Sequence, residues 1–397
     1  MIYKRTLFDE LEDRINDKEI IVVTGMRRVG KTTLFRMIFD NIINKNKIFL
    51  DMDNPLDQKL FEEEDYNNIW ANLKPYNINK NERAFIFIDE IQSKPEITKA
   101  IKYLYDHYNV KFFLTGSSSF YLKNLFPESL SGRKVIFHLY PLDFQEFLVF
   151  KDYNKEFKEN FNEKEKKKNK IEYEKVKKYY EEYLEFGGFP QVVIEEDYNK
   201  KREFLIDIFK SYFEKDVKGM ADFKDINAFR DLLLLLLKRI GSKLEITKLS
   251  SEIGVTRDTI YSYISFLEKT FFISLISPYT QSIDREISGT KKIYVCDNGI
   301  AKHIGKTEEG NLLENAVFND IKKFGEINYY QKRKGPEIDF ILNLENKKKI
   351  SLEIKQKGND MDLKKLKKVS RDLKINEFYV VTQKFIDKKG FILASDI

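Results

Sequence analysis

The sequence predicts a multidomain α/β protein in which a parallel sheet, a helical middle and a second α/β domain follow one another. Short apolar strands alternate with amphipathic helices over residues 1–146, as in parallel sheets. Residues 151–182 hold no glycine or proline and are crowded with charge, which predicts solvated helices with a flexible stretch near 163–170. Strands dominate again from about residue 290, and 397 residues exceed a single core of the usual size. The expected domains are 1–146 (parallel sheet), 147–240 (helical), 241–288 (winged helix) and 289–397 (α/β).

The composition excludes several classes of protein. The 70 Lys and Arg residues exceed the 64 Asp and Glu residues by a formal charge of only +6, so overall charge alone does not indicate a nucleic-acid partner. The single cysteine, Cys296, excludes an internal disulfide framework and a cysteine-rich zinc site. The longest aliphatic run, 232–237, is far shorter than the roughly 18 residues that span a bilayer. Because no signal-like apolar stretch follows the N-terminus, we expect a cytoplasmic protein without a membrane partner.

Strands and helices alternate regularly in the first domain. Apolar runs predict short buried strands at 19–24, 48–51, 84–88 and 110–115. Amphipathic sequence between them predicts helices at 32–44, 58–73 and 96–107. This alternation is typical of a parallel sheet covered by helices on both faces.

A phosphate-binding loop follows the first strand. Residues 25–32 read Gly-Met-Arg-Arg-Val-Gly-Lys-Thr and fit the pattern G-x4-G-K-[ST] between a strand and a helix. The glycines allow backbone N–H groups to turn towards phosphate oxygens, Lys31 reaches the β and γ phosphates, and Thr32 ligates Mg²⁺. The pattern therefore predicts a site for ATP with Mg²⁺. The expected nucleotide contacts are Gly25, Met26, Arg27, Arg28, Val29, Gly30, Lys31, Thr32 and Thr33.

Polar residues after the next strands supply the partners that this loop needs. Asp89 is expected to reach the Mg²⁺ shell, and Glu90 to accept a proton from the attacking water. Thr115 or Ser117 is the candidate sensor of the γ-phosphate, with an ordinary polar turn as the alternative. Arg133 would stabilise transition-state charge in its own subunit or a neighbouring one, with a plain surface arginine as the alternative.

Sequence motifs extend over nearly the whole chain. In the first domain they are GMRRVGKTT, FIDEIQ, LTGSSS and SGR followed by LYPLDFQEF. In the second half they are YLEFGGFP, SYFEKDV, KIYVCDNGI, GNLLEN and EIDF followed by LEIK. Together these motifs resemble the AAA+-type ATPases of archaea and bacteria, in the branch near the STAND NTPases. The resemblance implies ATP hydrolysis and makes a homo-oligomer an expectation.

A helix-turn-helix pattern occupies the middle of the chain. Residues 246–256 predict a helix closed by glycine and then a turn, and Thr256 would cap a second helix over 257–269. The apolar strand at 271–276 would be a wing. A structural or protein-contacting module is the alternative to DNA binding. The residues expected to face a DNA groove are Arg257, Asp258 and Tyr261.

Carboxylates and a lysine mark the C-terminal domain. Period-2 alternation in the apolar strand 350–355 puts Glu353 and Lys355 on one face. Asp339 lies in another apolar strand, and antiparallel pairing through a loop at 344–349 would bring it near Glu353. Two carboxylates can hold Mg²⁺, while Lys355 orients or deprotonates water for attack on a phosphodiester.

The order of the C-terminal elements adds to this prediction. A helix at 311–324 carries Glu314, which would supply a further metal ligand. The strand with Asp339, the strand with the E-x-K triplet, a helix at 361–374 and a final strand follow. This order resembles the PD-(D/E)xK nuclease core, which is restriction-endonuclease-like. The alternative is a solvated hairpin with a chance E-x-K triplet.

The predicted function combines these parts. We expect an ATP-hydrolysing switch coupled to a DNA-binding winged helix and a Mg²⁺-dependent nuclease domain, with RNA left open as a substrate. The alternative is a nucleotide-dependent regulatory or scaffold protein whose nuclease-like core binds nucleic acid or a partner without cutting. The lysine-rich helix at 361–374 would contact phosphates or form a solvated helix face.

Overall fold

The computed structural model describes residues 3–116, 132–158, 160–218, 225–280, 289–332 and 335–397. They form two compact units. The first runs to Tyr140 and includes Lys269–Phe271, and the second comprises Pro141–Glu268 with Phe272–Ile397. The first unit thus ends before the predicted boundary at residue 146. The division of the remainder into three domains stays a prediction, because the structure groups that part as one unit.

Strands and helices alternate along the first unit. The strands are β1 (Ile20–Thr24), β2 (Lys47–Asp51), β3 (Ala84–Asp89), β4 (Val110–Gly116) and β5 (Lys134–His138). The helices are α1 (Leu7–Asp13), α2 (Lys31–Asn41), α3 (Pro55–Lys59), α4 (Ile69–Leu73) and α5 (Ile97–His107). Short 3-10 turns lie at Tyr66–Asn68, Lys74–Tyr76 and Ile91–Ser93.

The strands of the first unit form one parallel sheet in the order β2-β3-β4-β1-β5. β1, β3 and β4 are buried along their whole length, which explains their continuous apolar sequences. Because the strands are parallel, the residues that follow β1, β3 and β4 meet at one edge of the sheet, the carboxyl edge. The predicted parallel sheet with intervening helices is confirmed.

The second unit begins with helices. They are α6 (Phe144–Phe150), α7 (Phe161–Lys166), α8 (Lys170–Phe186), α9 (Pro190–Ile194), α10 (Tyr198–Ser211), α11 (Ile226–Lys238), α12 (Ile246–Ile253), α13 (Arg257–Lys269), α14 (Asn298–His303), α15 (Glu309–Ile321) and α16 (Asp360–Asp372). A π-helix, Tyr212–Val217, continues α10, and a 3-10 turn lies at Ala394–Asp396. None of the described helices is long and apolar enough to cross a membrane.

The flexible stretch predicted at 163–170 is wrong, because helices α7 and α8 occupy most of it. The Asn160 side chain accepts the N–H of Glu163 at 2.9 Å and starts α7. Lys164 is only 3% exposed, and its Nζ donates to the carbonyls of Asp396 and Ile397 at 2.6 and 2.8 Å. Lys164, one of the charged side chains that suggested a solvated segment, is therefore bound to tertiary partners.

Three glycines allow close packing between α8, α9 and α14. Gly187 has φ +74°, and a Cβ there would lie 2.1 Å from Asp297 Oδ2. The Gly188 N–H donates to the same carboxylate oxygen at 2.7 Å. A Cβ on Gly299 would lie 2.2 Å from the carbonyl oxygen of Phe186. We name Gly187, Gly188, Asp297 and Gly299 the glycine joint; it connects two of the sequence motifs, YLEFGGFP and KIYVCDNGI.

Two further sheets complete the second unit. Their strands are β6 (Ile273–Ile276), β7 (Lys292–Val295), β8 (Gly325–Gln331), β9 (Glu337–Leu344), β10 (Lys349–Lys355), β11 (Glu377–Thr382) and β12 (Phe391–Leu393). β6 and β7 pair antiparallel, and the larger sheet has the order β12-β11-β10-β9-β8. β9 pairs antiparallel with both β8 and β10, whereas β11 and β12 continue parallel to β10. The predicted sequence of a helix, strands, a helix and a strand is present, with α16 between β10 and β11.

Candidate functional site

The phosphate-binding loop lies at the carboxyl edge of the first sheet, between β1 and α2. Gly25 starts the loop where the chain passes another strand closely: a Cβ there would lie 2.0 Å from the carbonyl oxygen of Leu139. Gly30 ends it with φ +99°, a left-handed value that favours glycine. The two glycines of the motif are thus required by a close approach and by a backbone angle, respectively.

Lys31 is held inside this loop. Its side chain is 5% exposed, and its Nζ donates to the carbonyl oxygens of Gly25 and Met26 at 2.9 and 2.8 Å. The ammonium group therefore ties the two ends of the loop together. The ammonium group thus lies beside the backbone of the loop. Its contact with the β and γ phosphates stays a prediction.

Asp89 at the end of β3 accepts hydrogen bonds from two hydroxyl groups. Thr32 Oγ1 donates to Asp89 Oδ2 at 2.7 Å, and Thr115 Oγ1 donates to the other carboxylate oxygen. Thr115 Oγ1 in turn accepts the backbone N–H of Glu90 at 3.0 Å. The structure thus brings together residues that the sequence predicted from three separate strand ends.

Glu90 has an unusual backbone conformation. Its φ of +50° lies in the left-handed region, which non-glycine residues seldom adopt. Its carboxylate accepts a hydrogen bond from Gln92 Nε2 in the following 3-10 turn. Strained backbone is common at active sites; the catalytic role of Glu90 stays a prediction.

Arg133 is not at the loop of its own chain, and that part of the prediction is corrected. Its carbonyl accepts the N–H of Ile20 at the start of β1, whereas the loop follows the other end of this strand. Its guanidinium Nε donates to Asp106 Oδ1 at 2.8 Å. A role in a neighbouring subunit stays a prediction. Ser117 lies outside the described residues.

Arg5 was missed by the sequence analysis and supports the loop from behind. It is 6% exposed; Nη1 donates to the Val29 carbonyl at 2.7 Å and Nη2 to the Tyr140 carbonyl at 2.8 Å. One guanidinium thus connects the loop to the last residues of the first unit. A single arginine in a polar segment carries no sequence signal of this role.

The C-terminal carboxylates lie on adjacent strands. The β9–β10 pairing runs antiparallel as far as Leu352 opposite Phe340, as the sequence predicted. At its end the Asp339 side chain accepts the backbone N–H of Ile354 at 2.8 Å. Lys355 Nζ lies 2.7 Å from Glu353 Oε1. The predicted pair of carboxylates and its lysine are therefore neighbours.

The pKa values of Asp339, Glu353 and Lys355 are shifted because negative charge is buried here. Burial, and then repulsion from Asp339, raises the pKa of Glu353 to about 7. Burial likewise raises the pKa of Asp339, although Lys292 and Lys355 oppose the change. Burial would lower the pKa of Lys355, but Glu353 and Asp339 outweigh it, so that pKa is raised. The two carboxyl groups resist ionisation together, which a bound cation would relieve.

The carboxylate of Glu314 on α15 contacts a tyrosine and a lysine. Its Oε1 accepts the Tyr294 hydroxyl at 2.6 Å and lies 3.8 Å from Lys292 Nζ. Burial, and then the Asp339 charge, raises the pKa of Glu314 to about 7. Within the described residues no group of three His, Cys, Asp or Glu side chains is arranged to hold a metal ion. The structure thus does not join Glu314 to Asp339 and Glu353 as a third ligand.

Lys292 and Tyr294 on β7 were also missed by the sequence analysis. The Lys292 side chain is 5% exposed, and its Nζ lies 2.5 Å from Glu337 Oε1. Burial would lower its pKa, but Glu314 and Asp339 reverse the effect and raise it. The motif KIYVCDNGI, which begins at Lys292, was the available sequence signal, but it did not indicate which carboxylates Lys292 and Tyr294 contact.

The helix-turn-helix has the predicted local structure. Gly254 closes α12 with φ +80°, and Thr256 Oγ1 accepts the N–H of Thr259 at 3.2 Å at the start of α13. Arg257, Asp258 and Tyr261 are exposed, and Tyr261 is 58% exposed. In the same helix Ile260, Ile264 and Leu267, spaced four and three positions apart, are buried. The predicted wing strand is β6, which starts at Ile273 and pairs with β7.

Comparison with known families identifies the class of the first unit. Residues 17–148 match the AAA domain family, residues 177–310 a domain of unknown function (DUF8612), and residues 309–389 another (DUF4143). The first unit is therefore an AAA domain, a type of P-loop ATPase domain. The match covers the loop at 25–32 together with Asp89 and Thr115.

Comparison with whole proteins identifies the family. The uncharacterized protein MJ1544 of Methanocaldococcus jannaschii is 30% identical over 382 residues, which cover 92% of this chain and 82% of that protein. An uncharacterized protein of Haemophilus influenzae is 28% identical over 354 residues, covering 86% of this chain and 84% of that protein. The chain belongs to the family of MJ1544.

Solved structures resemble the chain only distantly. C. elegans PCH-2 is 16% identical with a TM-score of 0.34, over 53% of this chain and 69% of that chain. The STAND protein PH0952 of Pyrococcus horikoshii, which has a tetratricopeptide repeat sensor, is 14% identical with a TM-score of 0.27, over 81% of this chain and 45% of that chain.

Proposed function

We propose that the first unit binds ATP with Mg²⁺ and hydrolyses it. The observation that carries this proposal is the hydrogen-bonded set Thr32, Asp89 and Thr115 beside the loop that holds Lys31. A hydroxyl and a carboxylate 2.7 Å apart are hard oxygen donors of the kind that Mg²⁺ takes in such sites. The AAA domain match supports the same activity.

Each residue then has a defined task. Lys31 exchanges its bonds to loop carbonyls for phosphate oxygens, while Thr32 and Asp89 would hold Mg²⁺, which neutralises phosphate charge when bound. Glu90 takes the proton of the water whose oxygen attacks the γ-phosphorus, and the bond to the β–γ bridging oxygen breaks. Thr115, between Asp89 and Glu90, senses the γ-phosphate.

Two substitutions test the assignment. We expect Lys31→Ala to abolish ATP binding, and Glu90→Gln to keep binding while lowering kcat on the order of 100-fold. Lys18→Ala is the matched control, because Lys18 is exposed and precedes β1, whereas the loop follows the other end of this strand. An unchanged ATPase rate in Lys31→Ala would refute the proposal.

We further propose that the second unit carries a Mg²⁺-dependent nuclease site of the PD-(D/E)xK type. The specific observation is that Asp339, Glu353 and Lys355 lie together on adjacent antiparallel strands within the predicted order of elements. Asp339 and Glu353 would hold the ion, which supplies a Lewis acid to the phosphodiester. Because the pKa of Lys355 is raised, this lysine stays an ammonium ion and orients the water instead of deprotonating it.

Cleavage assays separate this activity from the scaffold alternative. The full chain is incubated with labelled DNA and RNA, with Mg²⁺ or Mn²⁺, with and without ATP. We expect cleavage that Asp339→Asn abolishes and Glu345→Gln does not, because Glu345 belongs to an E-x-K triplet in the exposed turn after β9. Binding without cleavage by the unchanged chain would support a regulatory or scaffold protein.

DNA contact by α13 is part of the same proposal. Arg257 and Tyr261 are exposed and lie four positions apart, so they project from one side of the helix. We expect Arg257→Ala and Tyr261→Ala to weaken DNA binding without lowering the ATPase rate. Equal affinity in both variants would favour the structural alternative for this helix-turn-helix.

A further inference from the structure

Two clefts open at one edge of the larger sheet of the second unit, beside the start of β11. The first has a volume of about 580 Å³ and is lined by residues of α7, α16 and β11 together with Lys389. The second, of about 500 Å³, is lined by the turn between β9 and β10 and by the residues that follow α16. Asn376 and Glu377 line both, so the two are neighbours. We name them together the basic clefts.

Cations outnumber carboxylates in the basic clefts. Both carboxylates among the described lining residues have partners: Glu377 Oε1 lies 2.5 Å from Lys348 Nζ, and Glu165 accepts the Gly390 N–H. Besides Lys348, six described lining residues are cationic: Lys347, Lys349, Lys367, Arg371, Lys374 and Lys389. The clefts thus hold a formal excess of five positive charges, whereas the whole chain has an excess of +6. The charge that seemed too small to indicate a nucleic-acid partner is concentrated in one place.

These six cations are available to a ligand. All are exposed, and within the described part of the chain none of them forms an ion pair. Lys349 Nζ donates to the Tyr279 hydroxyl at 3.0 Å, which leaves its charge unneutralised. On the lysine-rich helix α16, Lys367 and Arg371 are four positions apart and so project from one side, the side that lines the first cleft. A polyanion would therefore bind without first breaking an ion pair.

The basic clefts and the carboxylate site lie at opposite edges of the sheet. β10, β11 and β12 are parallel, and the clefts contain Lys349, Glu377 and Gly390, which lie at or just before the starts of these strands. Glu353 and Lys355 lie at the other end of β10. Six residues of extended chain, about 20 Å, separate Lys349 from Lys355. The clefts are therefore a different site from the carboxylates.

The lining of the clefts suits one strand of nucleic acid. The half-buried aromatic side chains of Phe378 and Tyr279 line the first and the second cleft, respectively. Proteins hold single strands with cations along the phosphates and aromatic rings on which bases stack. An acidic peptide would use the cations but has no bases to stack. A duplex is too stiff to follow two adjoining clefts, whereas a single strand is flexible.

We propose that the basic clefts bind single-stranded nucleic acid through its phosphates, without a metal ion and separately from the carboxylate site. Lys367 and Arg371 contact phosphates in the first cleft, and Lys347 and Lys374 do so in the second. This activity goes beyond the nuclease and the helix-turn-helix contact proposed above, because neither the carboxylates nor α13 takes part in it.

Fluorescence anisotropy of a labelled oligothymidylate of about 20 nucleotides tests the proposal with the full chain. EDTA is present and ATP is absent, so that no metal-dependent binding contributes. We expect Lys367→Ala/Arg371→Ala to lower the affinity roughly 10- to 30-fold at about 0.1 M salt. The slope of log affinity against log salt should become shallower by about 1.4, since each phosphate contact of a single strand contributes about 0.7. Lys347→Ala/Lys374→Ala should cause a similar loss.

Lys364→Ala/Lys368→Ala is the matched control. These lysines are also exposed, are also four positions apart on α16 and remove the same charge, but they line neither cleft. Alanine favours helix, so both double variants should keep α16 folded, which their melting temperatures check. We expect the control to lose less than about threefold in affinity, because exposed charges away from the ligand are screened. Equal losses in the two α16 variants would overturn the clefts as the site.

Further comparisons separate the clefts from the other proposed sites and ligands. The loss in Lys367→Ala/Arg371→Ala should be the same when Asp339→Asn or Arg257→Ala is added, and a loss that disappears in either background would overturn the proposal. A larger loss for a duplex than for the single strand, or displacement of the oligonucleotide by polyglutamate of equal charge, would overturn the choice of ligand. None of these outcomes removes the ATPase or the nuclease, because neither uses the clefts.

Discussion

Among single side chains, two cations shape the phosphate-binding loop. Lys31 lies within it and donates to Gly25 and Met26, whereas Arg5 lies behind it and donates to Val29. Nucleotide must take Lys31 away from the loop carbonyls, so the loop has to keep its shape through other contacts. Arg5, which also holds Tyr140, supplies one of them.

We therefore expect Arg5→Met to lower ATP affinity about tenfold, because it leaves buried carbonyl acceptors unpaired at roughly 1–3 kcal/mol each. Isothermal titration calorimetry measures the change. Arg83→Met is the control: Arg83 also donates to backbone carbonyls, those of Asn16 and Asp17 at 3.0 and 2.8 Å, but it precedes β3 at the opposite edge of the sheet. A similar loss of affinity in both variants would show a general effect on stability.

The raised pKa of Glu353 predicts how metal binding depends on pH. Burial and the Asp339 charge bring this pKa to about 7, so below pH 7 an ion must displace a proton from the carboxyl group. Mn²⁺ affinity should therefore rise as pH increases from 5.5 to 7, by up to about tenfold per pH unit for one proton, and level off above. An affinity independent of pH over this range would contradict the ionisation assigned to Glu353.

At the scale of elements, the glycine joint explains why the chain breaks at 187–190. Gly187 and Gly254 both have left-handed φ angles, +74° and +80°, but only Gly187 has a neighbour where a Cβ would lie. We expect Gly187→Ala to destabilise the second unit by about 2 kcal/mol more than Gly254→Ala. Gly254, with ψ 25°, is in the αL region, whereas Gly187, with ψ −159°, is in a region almost reserved for glycine, and a Cβ there would also overpack Asp297. Thermal unfolding of the two variants measures the difference, and equal melting temperatures would contradict the close contact with Asp297.

The elements that could be predicted from sequence are those whose apolar pattern reports burial directly. Strand β3 and the β9–β10 pair were found because continuous or alternating apolar residues are typical of buried strands. Lys164 and Lys292 were not, because a lysine in charged sequence looks solvated whether or not it is buried. Their partners come from other elements, and only the folded chain brings them near.

The ATP site could be predicted more fully than the C-terminal carboxylate site, because its residues follow from the arrangement of the strands. Thr32, Asp89 and Thr115 were predictable as a group because parallel strands deliver their last residues to one edge. Glu314 was wrongly expected to join Asp339, because the sequence did not show that β7 would place Tyr294 against it.

At the scale of the whole molecule, the described residues of each candidate site belong to one unit. The loop residues and Asp89 belong to the first unit, and the carboxylates with Lys292 and Lys355 belong to the second.

We expect Asp339→Asn to keep the ATPase rate within about twofold, and Lys31→Ala to keep Mn²⁺ binding at the second unit unchanged, because sites that share no partners behave independently. Loss of either property would show that one unit depends on the other for its structure. Any influence of ATP on cleavage would then be regulation between intact sites, which the assay with and without ATP measures.

The segment from β7 to the start of α14 predicts which positions should vary among relatives. In one short segment, Lys292 and Tyr294 bind the carboxylates, while Asp297 and Gly299 close the glycine joint. In a lineage that lost Asp339 or Glu353, selection would no longer maintain Lys292 and Tyr294. It would still maintain Asp297 and Gly299. Relatives whose Asp339 or Glu353 has been replaced should therefore vary at the positions of Lys292 and Tyr294 but retain Asp297 and Gly299. In such relatives only the second half of the motif KIYVCDNGI would be conserved.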